Sequence, residues 1–334
     1  NAPGHKRGRK PSYDGPLIQE LVKIWNSMCQ CCSKKMVAAL PYWINHLDLD
    51  VATQTKLLRI SSATIDRLLQ PYRNKQIRGK SLTGKGGGIY FVKRMIPLKP
   101  LDAQYTKPGY MQSDTVGHCG DDISGSYTFS LTMTDICSTW TENRAVWSKS
   151  AFLVSQQIKD IESTLPFEIL GYSADNGSEV LNERIYDYFQ NRPEGKKVAV
   201  TRGRPYHSND QAYVEQKNNS HVRGLFGYER LDERSLVERM NEIYLLWNQL
   251  QNFYIPTMKC IEKKRDGARI VKKYDKPKTP YQRILESADV ALEAKQKLQA
   301  TYGKLNPFML SNELNKRRKT FFSILKRLKQ PMAA

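Results

Sequence analysis

The sequence predicts an α/β core, a mixed five-stranded sheet with helices on both faces, set between an all-α N-terminal region and a basic C-terminal region. Three observations predict it. Charge is partitioned along the 334 residues: 19 Lys and Arg stand against 6 Asp and Glu in residues 1–110, 14 against 20 in 111–250, and 20 against 7 in 251–334. Residues 15–72 carry stretches of apolar residues at helical spacing. The middle third instead mixes period-two alternation with helical spacing, the mark of strands packed under helices. A hydrophobic content of 40% over this length supports at least one sizeable core. The net charge of +20, held on two flanks around an acidic centre, suits flanks that neutralise phosphates and a centre that gathers carboxylates.

Residues 1–14 begin NAPGHKRGRKPS, basic and rich in Gly and Pro, and read as an extended arm that orders on DNA. The first residue is Asn rather than Met, so upstream sequence is expected. From residue 15, Leu17, Leu21, Ile24, Trp25 and Met28, then Met36, Val37, Leu40 and Trp43, predict two packed helices. Residues 51–70 read as helix, tight turn at Ile60 and Ser61, and a second helix capped by Ser61 or Ser62. This is the pattern of a helix-turn-helix over 15–72. Such a motif offers side chains from the start of its second helix to base edges, here Ser62, Thr64 and Arg67. Residues 73–109 form a basic extended linker, in which Arg78, Lys80, Lys85, Lys93 and Arg94 are expected to follow the phosphate backbone.

The core is expected over 110–254. Tyr127, Phe129, Leu131 and Met133 alternate with Thr128, Ser130, Thr132 and Thr134, a strand ending at Asp135. Segments 110–119 and 139–147 complete an antiparallel meander. Val154, Ile158, Ile161 and Leu165 mark a helix, 167–174 a strand, and Leu181, Ile185, Tyr188 and Phe189 another helix. A short strand at 198–200 precedes a polar helix over 209–223, and Leu236, Met240, Ile243, Trp247 and Leu250 define a long last helix. The order βββαβαβαα is that of an RNase H-like fold. Residues 255–334 are densely basic with some apolar content, expected to contact DNA or bridge subunits.

Three acids stand out: Asp114 in GYMQSDTVGHC, Asp175 in GYSADNGSEV and Glu215 in SNDQAYVEQKN, with 60 residues between the first pair and 39 between the second. Asp114 falls in the first core strand, Asp175 just past the fourth and Glu215 in the helix after the fifth, so the fold can bring them together at strand ends. Hard oxygen ligands of this kind suit two divalent cations about 4 Å apart acting at a phosphodiester. Asp135 is the rival strand acid, while Asp121 and Asp122 fit an exposed hairpin turn. His118 shares the strand face of Asp114 and reads equally as structural or catalytic.

The residues around these acids, above all Asp175–Glu179 and the run from Arg204 to Asn218, resemble integrase-type DDE transposases of bacterial insertion sequences, related to the retroviral integrase catalytic core. The resemblance implies a two-metal polynucleotidyl transferase whose catalytic and metal-binding residues are Asp114, Asp175 and Glu215, with two Mg²⁺ or Mn²⁺ ions per site. It implies binding of double-stranded DNA, both terminal inverted repeats and target, by a homo-oligomer, with a possible helper ATPase and a cytoplasmic, nucleoid-associated location. Arg202, Arg204, Tyr206, Gln211, Asn218 and Asn219 are then candidate DNA contacts, while Asn176 and Gly177 shape the turn that presents Asp175.

Two departures from retroviral integrases are visible: no zinc domain precedes the core, and the second spacing is longer, its extra residues fitting the 191–197 loop. The six cysteines, at 29, 31, 32, 119, 137 and 260, match no zinc-ligand spacing and read as structural thiols of a reducing compartment. No apolar run reaches the ~20 residues that cross a bilayer. The alternative reading is a domesticated sequence-specific DNA-binding protein with a non-catalytic core. A cellular RNase H-type nuclease or junction resolvase is a third, which would not need two basic flanks.

Overall fold

The computed structural model describes residues 13–73, 96–97, 105–175, 177–203, 211–267 and 269–330. The chain divides into two units, Asn1–Gln76 and Ile77–Ala334. In the first, Asp14 caps α1 (Gly15–Ser27) by accepting the Leu17 N–H at 3.2 Å, and Pro16 presets the first turn. Cys29 and Gln30 then take left-handed φ values of 52° and 56°, and α2 (Ser33–Trp43) follows. Asp50 caps α3 (Val51–Leu58), and Ser61, one of the two expected serines, caps α4 (Ser62–Leu69) through the Thr64 N–H. Leu17, Leu21, Ile24, Met36, Leu40, Trp43, Leu57 and Ile65 are buried together with Leu69, and the Ser33 hydroxyl donates to Asp66 at 2.8 Å, tying α2 to α4.

The second unit is built on a mixed sheet of order β3-β2-β1-β4-β5. Strands β1 (Tyr110–Gly117), β2 (Thr128–Asp135) and β3 (Thr141–Trp147) form the antiparallel meander, and β4 (Gly171–Ala174) and β5 (Ala199–Arg202) run parallel to β1. The expected strand over 167–174 exists only from Gly171 onward. Helices α5 (Ala151–Thr164) and α6 (Glu183–Gln190) lie on one face, where Met111, Phe129, Leu131 and Met133 join Val154, Ile158, Ile161, Ile185 and Phe189 in one core.

On the other face the alternation presents Ser130, Thr132 and Thr134, all buried, so partners must be supplied by what covers them. Covering this face are α7 (Ala212–Lys217) and α8 (Leu236–Tyr254). The Tyr244 hydroxyl donates to Ser130 Oγ at 2.6 Å, and the Asn143 amide donates to Thr132 Oγ1 at 2.8 Å. Three asparagines of α8 then close the β3 edge. Asn241, Asn248 and Asn252 each accept a backbone N–H and donate to a backbone carbonyl, on Ala145, Asn143 and Thr141 in turn. Side-chain amides here replace the strand that would otherwise pair with an open edge.

The C-terminal region consists of a ribbon of β6 (Cys260–Asp266) and β7 (Arg269–Tyr274), followed by α9 (Pro280–Glu286), α10 (Leu292–Tyr302) and α11 (Pro307–Leu328). Part of it was expected to be helical, or packed on DNA or a second subunit. The helical part is found: Phe308, Leu310, Leu314, Phe321 and Leu325 lie buried in α11, which packs along α8, with the Phe321 ring 5.2 Å from that of Phe226. A helix on a helix was the cheapest cover for that apolar stripe. Among the described residues no helix is long and apolar enough to cross a membrane.

Candidate active site

Strand register brings the first two acids side by side. β1 and β4 run parallel with Ser113 opposite Ala174, and the next residue on each strand is Asp114 and Asp175. Asp175 is exposed just past the end of its strand, and its Oδ1 accepts the Gly177 N–H at 2.7 Å in an Asx turn. A Cβ at Gly177 would stand 2.9 Å from both Asp175 Oδ1 and Glu179 Oε1, so a larger residue there would displace these carboxylates. Asn176, its other expected shaper, lies outside the described residues.

The third acid is delivered by α7, which is pinned to β1 through Gln112. The Gln112 side-chain carbonyl accepts the N–H groups of Tyr213 and Val214 at 3.2 and 3.3 Å, capping orphan donors at the start of the helix that carries Glu215. Glu215 is exposed. Beyond it the helix widens into a π-helical turn, Asn218–Arg223, before continuing as Gly224–Phe226. Turns of this kind re-aim side chains and recur at functional sites. Here Asn218 reaches Asp114 Oδ2 at 2.5 Å, while His221 reaches the Asn143 side-chain carbonyl at 2.9 Å.

Asp114 is the electrostatic centre of the group. Burial, followed by the negative charge of Asp175, lifts its pKa from the ordinary carboxylate range to about 7, with Glu215 adding a smaller push. The Thr115 N–H at 2.8 Å and the Asn218 amide pull the other way. Excess negative charge of this kind is what a bound cation would neutralise. The donors fit divalent cations in kind, yet among the described residues no three His, Cys, Asp or Glu side chains stand close enough together to hold an ion.

Glu179 is a buried acid absent from the sequence expectations. Its carboxylate accepts from Thr115 Oγ1 at 2.8 Å and lies 3.4 Å from Lys149 Nζ, so it braces the strand end beside Asp175. The signal was present in the Asp-Asn-Gly-Ser-Glu run. Gln112, two residues before Asp114 and on the same strand face, was readable by the same alternation.

The remaining candidates fall in different settings. Arg202 donates from Nε to the Ile96 carbonyl at 3.0 Å, and its N–H to the Pro97 carbonyl, holding that chain segment along β5. Gln211 is buried and donates to Ser173 Oγ at 3.1 Å, so it joins α7 to the sheet rather than facing solvent. Asn218 is half-buried on Asp114, and Asn219 is exposed. Arg67 is exposed on α4, with Ser62 and Thr64 half-buried. Arg78, Lys80, Lys85, Lys93, Arg94, Arg204 and Tyr206 lie outside the described residues. Asp135 and His118 are structural: Asp135 accepts from Gly109 N–H, Ser138 N–H and Ser138 Oγ, and His118 is buried against Ser130 Oγ at 2.7 Å. Asp121 and Asp122 are exposed, as expected of a turn.

The uncharacterized protein y4rM of Sinorhizobium fredii (strain NBRC 101917 / NGR234) is 35% identical to this chain over 277 residues, covering 80% of this chain and 77% of that protein. The chain belongs to the y4rM family. No protein-family model matches it. A crystal structure of the catalytic core domain of BIV integrase aligns with 53% of this chain and 94% of its own at 20% identity, with a TM-score of 0.34.

Proposed function

We propose that this chain is a DDE transposase with an RNase H-like core, which binds the terminal inverted repeats of a mobile element and catalyses metal-dependent 3′-end cleavage and strand transfer. The observation that carries the reading is the register: two acids with 60 residues between them in sequence become neighbours across β1 and β4, and Gln112 pins the helix bearing the third to the same strand. Asp114, Asp175 and Glu215 would hold two Mg²⁺ or Mn²⁺ ions, which supply activation of the attacking oxygen and stabilisation of the leaving one. The chain's own residues set up that geometry. Asn218 orients the Asp114 carboxylate, the Gly177 turn fixes Asp175, and Glu179 with Lys149 braces the turn. Nucleophiles on this reading are water and then the freed 3′-hydroxyl, so no protein–DNA bond forms.

Helix α4 is the proposed reader of the repeat. Replacing Ser62, Thr64 and Arg67 by Ala should reduce discrimination between repeat and random duplex by about 1–3 kcal/mol for each base no longer read. An unchanged ratio of specific to non-specific binding would assign reading elsewhere. Multimeric synapsis of two ends and a helper ATPase belong to the same proposal.

The second reading, a binder with a non-catalytic core, is favoured by one observation: among the described residues the acids form no ready ion-binding trio. Incubating the full chain with duplexes carrying the native element ends, in Mg²⁺ or Mn²⁺, separates the two. Nicking at the 3′ ends supports the transposase; repeat binding without nicking in either metal supports the binder.

A further inference from the structure

The β6–β7 ribbon is the one strand pair in the described structure with no layer over it. Nearly every residue is exposed, including Ile270 at 64% and Tyr274 at 48%. A lone two-stranded ribbon is marginal in water. This one is instead clamped at its base. The Lys259 carbonyl accepts the Asp275 N–H at 2.9 Å, and Asp275 Oδ1 accepts the Lys259 N–H at 2.7 Å. Arg283 then bridges Asp275 at 2.6 Å and the Thr257 carbonyl at 3.1 Å, and Lys259 Nζ donates to the Cys137 carbonyl of the β2–β3 turn at 2.8 Å. The arm is therefore held out from a fixed root.

Its two faces differ in charge. Cross-strand partners share a face, so the pairs Lys263 with Lys272 and Arg265 with Ile270 place Lys263, Arg265 and Lys272 together, beside Ile270 and Tyr274. Both ribbon acids fall on the opposite face, where Glu262 pairs with Lys273 at 4.0 Å and Asp266 sits opposite Arg269. One face thus carries three cations and two exposed apolar side chains with no acid among them.

We propose that this ribbon is a DNA-docking arm whose acid-free face, Lys263, Arg265 and Lys272 with Ile270 and Tyr274, lies on duplex DNA. The proposal rests on the reading of the chain as a DNA-acting protein. Duplex DNA is the occupant because the face is complementary to phosphate, a two-stranded ribbon is narrow enough to enter the major groove, and exposed Ile and Tyr suit base methyls and sugars. A second copy of the chain would bring the same cations against themselves.

The test uses the full chain and two triple variants that remove equal charge. Lys263→Ala with Arg265→Ala and Lys272→Ala clears one face; Lys264→Ala with Arg269→Ala and Lys273→Ala clears the other. All six side chains are exposed, so both variants should keep the wild-type melting temperature. Binding to a random duplex is read by fluorescence anisotropy over a series of salt concentrations. The first variant should bind at least ~10-fold more weakly, with a salt slope shallower by about 2–3, close to 0.9 for each phosphate no longer neutralised. The second should bind within about threefold of wild type. Equal losses on both faces, no loss on either, or a loss of self-association in light scattering without loss of DNA binding would overturn the proposal. A wild-type chain that binds no duplex even at low salt would sink the transposase reading itself, a result distinct from failure of the ribbon alone.

Discussion

Asp114 and Asp135 lie on neighbouring antiparallel strands, and burial raises the proton affinity of both. Asp135 is fully buried: two backbone N–H groups and a hydroxyl donate to it, and Lys259 adds positive charge. Such a carboxylate holds a turn together and has no lone pair directed at solvent chemistry. Asp114 has two donors, from Thr115 and Asn218, and then faces two more carboxylates. Hydrogen bonds that nearly saturate a buried acid mark structure; a buried acid whose proton affinity is raised further by neighbouring carboxylates marks a candidate functional site.

The largest expected difference is in catalysis. On the proposed transposase reading, Asp114→Asn, Asp175→Asn and Glu215→Gln keep shape and remove the charge that would hold cations, so each should lower end cleavage by at least ~10³-fold while repeat binding survives. Asp135→Asn should leave activity per folded molecule within a few-fold of wild type. A Glu215→Gln variant that cuts normally, or an Asp135→Asn variant that folds but cannot cut, would reverse the roles assigned to the two sites.

Next comes the turn that presents Asp175. Gly177→Ala pushes a methyl into both Asp175 Oδ1 and Glu179 Oε1, so it should cost ~10-fold or more in cleavage with a smaller loss of melting temperature, because the turn is at the surface. Normal activity in that variant would show that the turn relaxes freely and does not position the acid.

Stability should then separate the two aspartates in the opposite sense to activity. Asp135→Asn replaces an acceptor oxygen with a donor and leaves a backbone N–H of Gly109 or Ser138 facing another donor, a loss of about 2–3 kcal/mol in unfolding free energy. Chemical denaturation in chelator checks this. A loss below about 0.5 kcal/mol would mean that the turn is not held by its carboxylate.

How much of this contrast the sequence contained differs by element. Strand β2 was readable because one of its faces is apolar and the other bears hydroxyls, so period two survives in the letters. The three acids were readable through their local motifs. Asn218 was readable only as a neighbour of Glu215, because its contact with Asp114 spans 104 residues and leaves no mark in periodicity. The asparagine ladder of α8 was hidden for a related reason: Asn241, Asn248 and Asn252 look like a polar face of a surface helix until an open strand edge is placed beside them. For the ribbon the signal existed, since Gly267 follows the paired Asp266 at a left-handed φ of 58° and marks a tight turn, but flanking strands exposed on both sides show no alternation to support it. The tail helix was legible as apolar and basic, while its destination, α8 of its own unit, depended on a partner far away in sequence.

A further test of the contrast, and the smallest in effect, uses His118, which follows β1 beyond Asp114 and whose role the sequence left open between catalysis and structure. Burial, with a smaller contribution from the positive charge of Arg223, lowers its pKa from 6.5 to about 3. In the folded protein it is therefore neutral throughout the physiological range, bonded to Ser130 and packed edge-on to Phe226. In the unfolded chain it takes up a proton near pH 6.5. The unfolded state then binds more protons than the folded one below that pH, so stability from His118 is fully present above about 7 and falls as pH drops toward the folded value. Between pH 7.5 and 5 the loss should be about 2 kcal/mol, set mainly by the unfolded pKa. His118→Gln keeps a hydrogen-bonding group and removes the titration, so its stability should depend less steeply on pH over that window than the wild type's. Parallel curves for the two proteins would show that His118 is accessible to protons in the folded state. That would move it from the closed region of the sheet to the open one, beside Asp114.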